Sequence, residues 1–162
     1  MIDKDKTGVR RVSMSEQNAQ KQLIPAIQGW FTMPPQAPHI IASRCSSCNG
    51  YFFPPAQVCR NPNCKKDRPM ESVLLGNRGK LEAYSINYFS PPPPYHAPDP
   101  FVPFGVGMVS LPEGISITGQ ISSGYDEKNL EVGMDMDVVI EKLYEDSQGN
   151  DVMAWKFRPA KK

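Results

Sequence analysis

Four cysteines, arranged as Cys45-x2-Cys48, ten intervening residues and then Cys59-x4-Cys64, are the residues whose type and spacing most directly specify chemistry. Two close pairs on short loops deliver four thiolates to one tetrahedral ion, and the spacing favours a closed structural Zn²⁺ site. Disulfides, a redox C-x2-C and an iron centre are the other readings. The first fourteen residues are charged and contain no apolar run, unlike a signal peptide, so the expectation is a cytoplasmic protein with reduced thiols. Redox C-x2-C motifs sit at strand-to-helix junctions, whereas Asn49-Gly50 follows the first pair here and Pro62 lies inside the second.

These are the chain's only cysteines. If a metal holds all of them, no thiol remains to attack a thioester, and the chain is not a catalyst alone. His39 and His96 lie in proline-rich surroundings with no Ser or Asp at a triad-like spacing, which reads as ordinary surface placement. Asp135 and Asp137 alternate with Met134 and Met136, the pattern of a solvated strand face.

The elements that must position the cysteines follow from pattern. With 18 Lys and Arg against 17 Asp and Glu, the net charge of +1 supplies no general field for polyanions. Seventeen prolines favour loops and β structure over long helices. No apolar stretch approaches the roughly 20 residues that span a bilayer. Residues 1–14 read as a disordered lead-in. Residues 15–39 read as a helical, partner-docking segment: Ser15 is a candidate N-cap, Leu23, Ile24 and Ile27 supply an apolar side, Pro25 kinks it, and Trp30 and Phe31 follow as anchors. Residues 40–75 hold the zinc ribbon, with Tyr51-Phe52-Phe53 as a packing strip between the cysteine pairs.

Residues 76–162 alternate with period two between turn signals. Five strands are predicted, with Tyr84, Ile86 and Tyr88; Phe104, Val106 and Met108; Ile115, Ile117 and Ile121; Met134, Met136, Val138 and Ile140; and Met153, Trp155 and Phe157 each sharing a face. The predicted fold is therefore mainly β, a five-stranded Greek-key barrel of the OB type behind the ribbon. Between the first two of these strands, seven prolines in residues 91–103 predict a stiff protruding arm that offers Tyr95, His96 and Phe101 for docking.

The run Arg44-Cys45-Ser46-Ser47-Cys48-Asn49-Gly50, then Phe53-Pro54-Pro55, the second cysteine pair, Gly76-Asn77-Arg78-Gly79-Lys80, the proline arm, Gly105-Val106-Gly107 and Phe157-Arg158-Pro159 resembles an acyl-CoA-associated family. That family joins a rubredoxin-like zinc ribbon to an OB fold, and the likeness covers residues 28 to 160. It implies a small accessory subunit beside a thiolase-like or hydratase-like enzyme, in some members helping to hold CoA. Candidate phosphate contacts are Arg60, Lys65, Lys66 and Arg68 around the second knuckle, with Arg78 and Lys80 at the start of the barrel. The alternative from another class is a single-stranded nucleic-acid binder stacking bases on Tyr84, Tyr88 and Phe89; the neutral charge balance argues against it.

Overall fold

The computed structural model describes residues 21–65 and 69–161, and among them the regular structure is entirely β. A small sheet in the order β3-β2-β4 comprises β2 (Ile41–Cys45), β3 (Tyr51–Phe52) and β4 (Met70–Leu74). The second sheet contains β5 (Arg78–Asn87), β6 (Phe104–Ser110), β7 (Ser116–Ile121), β8 (Asp135–Glu145) and β9 (Asp151–Pro159). β5, β6 and β7 form an antiparallel meander, β7 runs parallel to β9, β9 turns back on β8, and β8 closes onto β5. That circuit is the closed five-stranded barrel of an OB fold. No helix among the described residues is long and apolar enough to cross a membrane.

Alternation places the barrel core as expected on β8, where Met136 and Val138 are buried. On β5 the inward set changes parity, from Gly79 and Leu81 to Tyr84 and Ile86, because a bulge between Leu81 and Ala83 inserts one residue and flips the following side chains. β6 departs from expectation. Its inward residues are Gly105, Gly107 and Val109, while Phe104, Val106 and Met108 occupy the outward face. A Cβ on Gly105 would lie 3.2 Å from Ile121, and one on Gly107 3.0 Å from Leu81, so neighbouring strands already fill that interior.

The expected helix over 15–29 is not found in its described part. Leu23–Pro25 is instead a short strand, β1, lying parallel to β9 from Asp151 to Met153. Leu23 and Ile27 are 48% and 40% exposed, so no helical apolar face had enough burial to beat the extended form. Pro25, which cannot donate, is tolerated because β1 is an edge strand. Lys21 fastens its start, bonding Glu145 at 2.6 Å and Asp151 at 3.0 Å, and Lys142 reaches the same two carboxylates. Residues 1–20, including the lead-in and the Ser15 cap, lie outside the described residues.

The two sheets share one interior. Ile40, Ala42 and Leu75 belong to the same buried cluster as Leu81, Val109, Ile117, Met136 and Phe157. Above it four rings interlock: Trp155 lies 6.0 Å from Trp30, 5.8 Å from Phe31 and 5.7 Å from Phe53, with Trp30 and Phe53 edge to face at 5.2 Å. Gly119 opposite makes room, since a Cβ there would sit 2.8 Å from the Trp155 indole nitrogen.

Candidate metal centre

Cys45 ends β2, and the chain then reverses in a tight turn. The Asn49 N–H donates to the Cys45 carbonyl at 2.7 Å and the Cys45 N–H donates to the Gly50 carbonyl at 2.9 Å. Asn49 takes φ of 56°, a left-handed conformation that asparagine tolerates better than most residues. Arg44 Nη2 donates to its side-chain oxygen at 2.7 Å and fixes it there. Cys48 is carried on this turn. Cys59 and Cys64 come from the following loop, where the Asn61 side chain accepts from the Asn63 N–H at 3.0 Å and the Asn61 carbonyl from the Cys64 N–H at 3.2 Å.

The result is a cage. Sγ of Cys45 lies 3.7 Å from that of Cys64, Cys48 lies 3.7 Å from Cys59, and all four sulfurs fall within 4.8 Å of one another. A tetrahedron with Zn–S bonds of about 2.3 Å has vertices about 3.8 Å apart, so this donor set fits a four-thiolate ion. The four cysteines are unbridged.

Cys45 and Cys59 are both buried, yet their thiols are pushed in opposite directions. The Cys48 N–H, and next the Ser47 N–H, point at Cys45 and lower its pKa to about 6. Burial raises Cys59 to about 12, because a thiolate there loses its water. A cation held by the four sulfurs would supply the compensation that burial withholds, and its binding would release the protons of the thiols that ligate it.

The other predicted residues are scattered. Arg60 and Lys65 are exposed beside the second knuckle, and Lys66 and Arg68 lie outside the described residues. Arg78 donates to Asp137 at 2.6 Å and Lys80 meets Asp135 at 2.9 Å, each a cross-strand partner on β8. The acidic pair is thus the solvated face that alternation predicted, and it offsets both cations. Trp30 and Phe31 stand in the ring cluster between ribbon and barrel, Phe31 fully buried by this chain. His39 is no plain surface residue: it is half-buried, and its Nδ1 lies 2.7 Å from the Leu75 carbonyl at the joint between the sheets.

The proline arm does not stand off the surface. Tyr95 stacks on Phe104 at 5.3 Å, Phe101 meets the same ring edge-on at 6.3 Å, and His96 stacks on Tyr144 at 3.9 Å. The outward Phe104 of β6 is what draws the arm down. Trp155 was placed on a strand face by sequence, but its part in the ring cluster was not. Gly119, two residues from Ile117 and from Ile121 on the inward face, is the one sequence sign that something large lies opposite.

A four-cysteine ribbon sharing its core with a closed OB barrel defines a ribbon-plus-OB class of protein. The model of the ChsH2 C-terminal OB-fold domain matches residues 72–141. A DUF35 domain-containing scaffold protein of Methanocaldococcus jannaschii is 30% identical over 121 residues, covering 74% of this chain and 81% of the relative. A DUF35 domain-containing scaffold protein of Methanothermobacter thermautotrophicus is 28% identical over 126 residues, 77% and 90% of the two chains. The chain belongs to the DUF35 family. Among solved structures, a chain of the Ltp2-ChsH2(DUF35) aldolase shares the fold, with a TM-score of 0.56 and 21% identity over 75% of this chain and 84% of that one.

Proposed function

We propose that this chain is a non-catalytic, zinc-binding subunit of a heteromeric acyl-CoA thiolase-type enzyme, supporting a thiolase-fold partner. The particular assignment is the zinc-containing subunit of benzoylsuccinyl-CoA thiolase in anaerobic toluene degradation. The observation that carries it is the gathering of all four cysteines into one cage. Zn²⁺ bound there supplies structural closure and neutralises thiolate charge. Cys45, Cys48, Cys59 and Cys64 hold it, and no thiol is left as an acyl acceptor.

The names of the relatives support an accessory role: two are scaffold proteins, and the solved relative is part of an aldolase that pairs Ltp2 with ChsH2. CoA or acyl-CoA is a ligand of the assembly, and this chain's contribution to its phosphates narrows to Arg60, Lys65, Lys66 and Arg68, because Asp137 and Asp135 occupy Arg78 and Lys80. Tyr95, His96 and Phe101 present a docking surface as an arm already folded onto the barrel. Single-strand binding gains no support: Tyr84 is half-buried with its hydroxyl on the Leu130 carbonyl, and that of Tyr88 donates to Glu127, an anion where phosphates would pass.

The test is co-expression with the thiolase-fold subunit. The expected result is an equimolar complex carrying one zinc per copy of this chain, with thiolysis abolished when either chain is omitted. Elution of this chain alone, or full thiolysis by the partner alone, overturns the proposal.

A further inference from the structure

Beside the proline arm lies a cavity of about 190 Å³, lined by Tyr95, His96 and Val102 of the arm together with Phe104, Tyr125 and Lys156 of the barrel. At roughly 30 Å³ per water it has room for about six waters, or for one planar ring with a small substituent. In OB barrels the loop between the first two strands flanks the ligand-binding face, and the arm is that loop here. The Tyr95–Phe104 and His96–Tyr144 stacks hold the arm against the barrel at the edge of this space, so its lining is ordered before anything enters it.

Lys156 rises from β9 with its side chain only 13% exposed. Its ammonium donates to the Lys142 carbonyl at 3.0 Å and lies 3.7 Å from Glu141, too far for a hydrogen bond. The other Glu141 oxygen accepts from Ser122 Oγ at 2.9 Å. The charge of Lys156 is therefore offset by Glu141 while its donor capacity is not filled, since an ammonium carries three N–H groups. Aromatic rings on part of the lining, Gln120, Ser122 and Ser123 on the rest, a ring-sized volume and one donor without net charge define the complement.

We propose that this cavity binds a compact neutral molecule with a planar apolar body and one carbonyl oxygen, which accepts a hydrogen bond from Lys156.

Benzamide and benzoate, which share a shape and differ in charge, test it in amide NMR titrations of the full chain. Benzamide is expected to shift Phe104, Ser122, Leu143 and Lys156 with a Kd of about 1 mM, and benzoate to bind about fivefold more weakly. Lys156→Met keeps the stem and removes the donor, and it should weaken benzamide about tenfold. Glu141→Gln leaves the ammonium uncompensated and should reverse the order, making benzoate the tighter ligand. Absence of shifts at about 20 mM of either compound, unchanged benzamide affinity in Lys156→Met, or an unreversed order in Glu141→Gln each overturns the proposal.

Discussion

The ribbon and the barrel are held by different means. The barrel closes on itself, every strand paired on both sides, with Leu81, Val109, Ile117, Met136 and Phe157 inside. The ribbon has three short strands, one of only two residues, and at its far end the loops are tied by the sulfur cage and by Ser46 Oγ donating to the Pro69 carbonyl at 2.8 Å. At its near end Ile40, Ala42 and Leu75 are already part of the barrel's interior. A sheet too small to stabilise itself is thus anchored at one end by borrowed hydrophobic burial and at the other by the gathered cysteines, where the proposed zinc would add its ligand bonds.

The sharpest way to break that contrast is to remove the metal. Structural zinc contributes roughly 10 to 16 kcal/mol in small modules, so chelation, or Cys59→Ser, should open the cysteine loops and β3 to hydrogen exchange while Val138 and Phe157 stay protected. Simultaneous loss of protection in the barrel would show that the two regions are one cooperative unit. Trp155→Ala attacks the joint instead. It removes the ring shared by Trp30, Phe31 and Phe53 and should cost about 3–5 kcal/mol in urea unfolding, with the ribbon and barrel transitions separating.

Gly119→Ala tests the same contact from the opposite side. The added methyl meets the Trp155 indole, and the expected loss is about 1–3 kcal/mol, relieved when Trp155 is simultaneously shortened to Phe.

The smallest effect is at β1. Lys21 and Lys142 hold Glu145 and Asp151 below the usual carboxylate range, and the same contacts raise Lys21. Depressed carboxylates contribute stability above their unfolded pKa and lose it as pH falls through the folded value. Exchange of the Asp151 amide, which donates to the Gln22 carbonyl, should therefore quicken below about pH 4 and in high salt. Equal exchange at pH 3 and pH 6, once corrected for the intrinsic rate, would remove these ion pairs from the account.

Much of this was legible in the residues. Cysteine spacing gave the cage because four ligands to one ion leave a local signature, and period-two alternation gave five strands because each buries one face. The misreadings share a cause, which is that sequence patterns do not report what lies across a gap. β6 looked apolar along Phe104, Val106 and Met108, yet two of its three inward positions are glycines, since Leu81 and Ile121 arrive from other strands. Residues 23–25 fell near a plausible helix, but the free edge of β9 offered backbone pairing that no local propensity encodes. The prolines did preclude helix, whereas their collapse onto the barrel depended on Phe104, just past the arm, and on Tyr144, distant in the chain.

The interior that passes without a break from Ile40 and Leu75 into Phe157 has a mechanical consequence. A protein with a supple waist could let one end drift while the other stayed gripped; this one has no such waist. A body bound at the knuckles would be held at a set distance from one bound at the arm, much as the two jaws of a calliper are referred to a single beam.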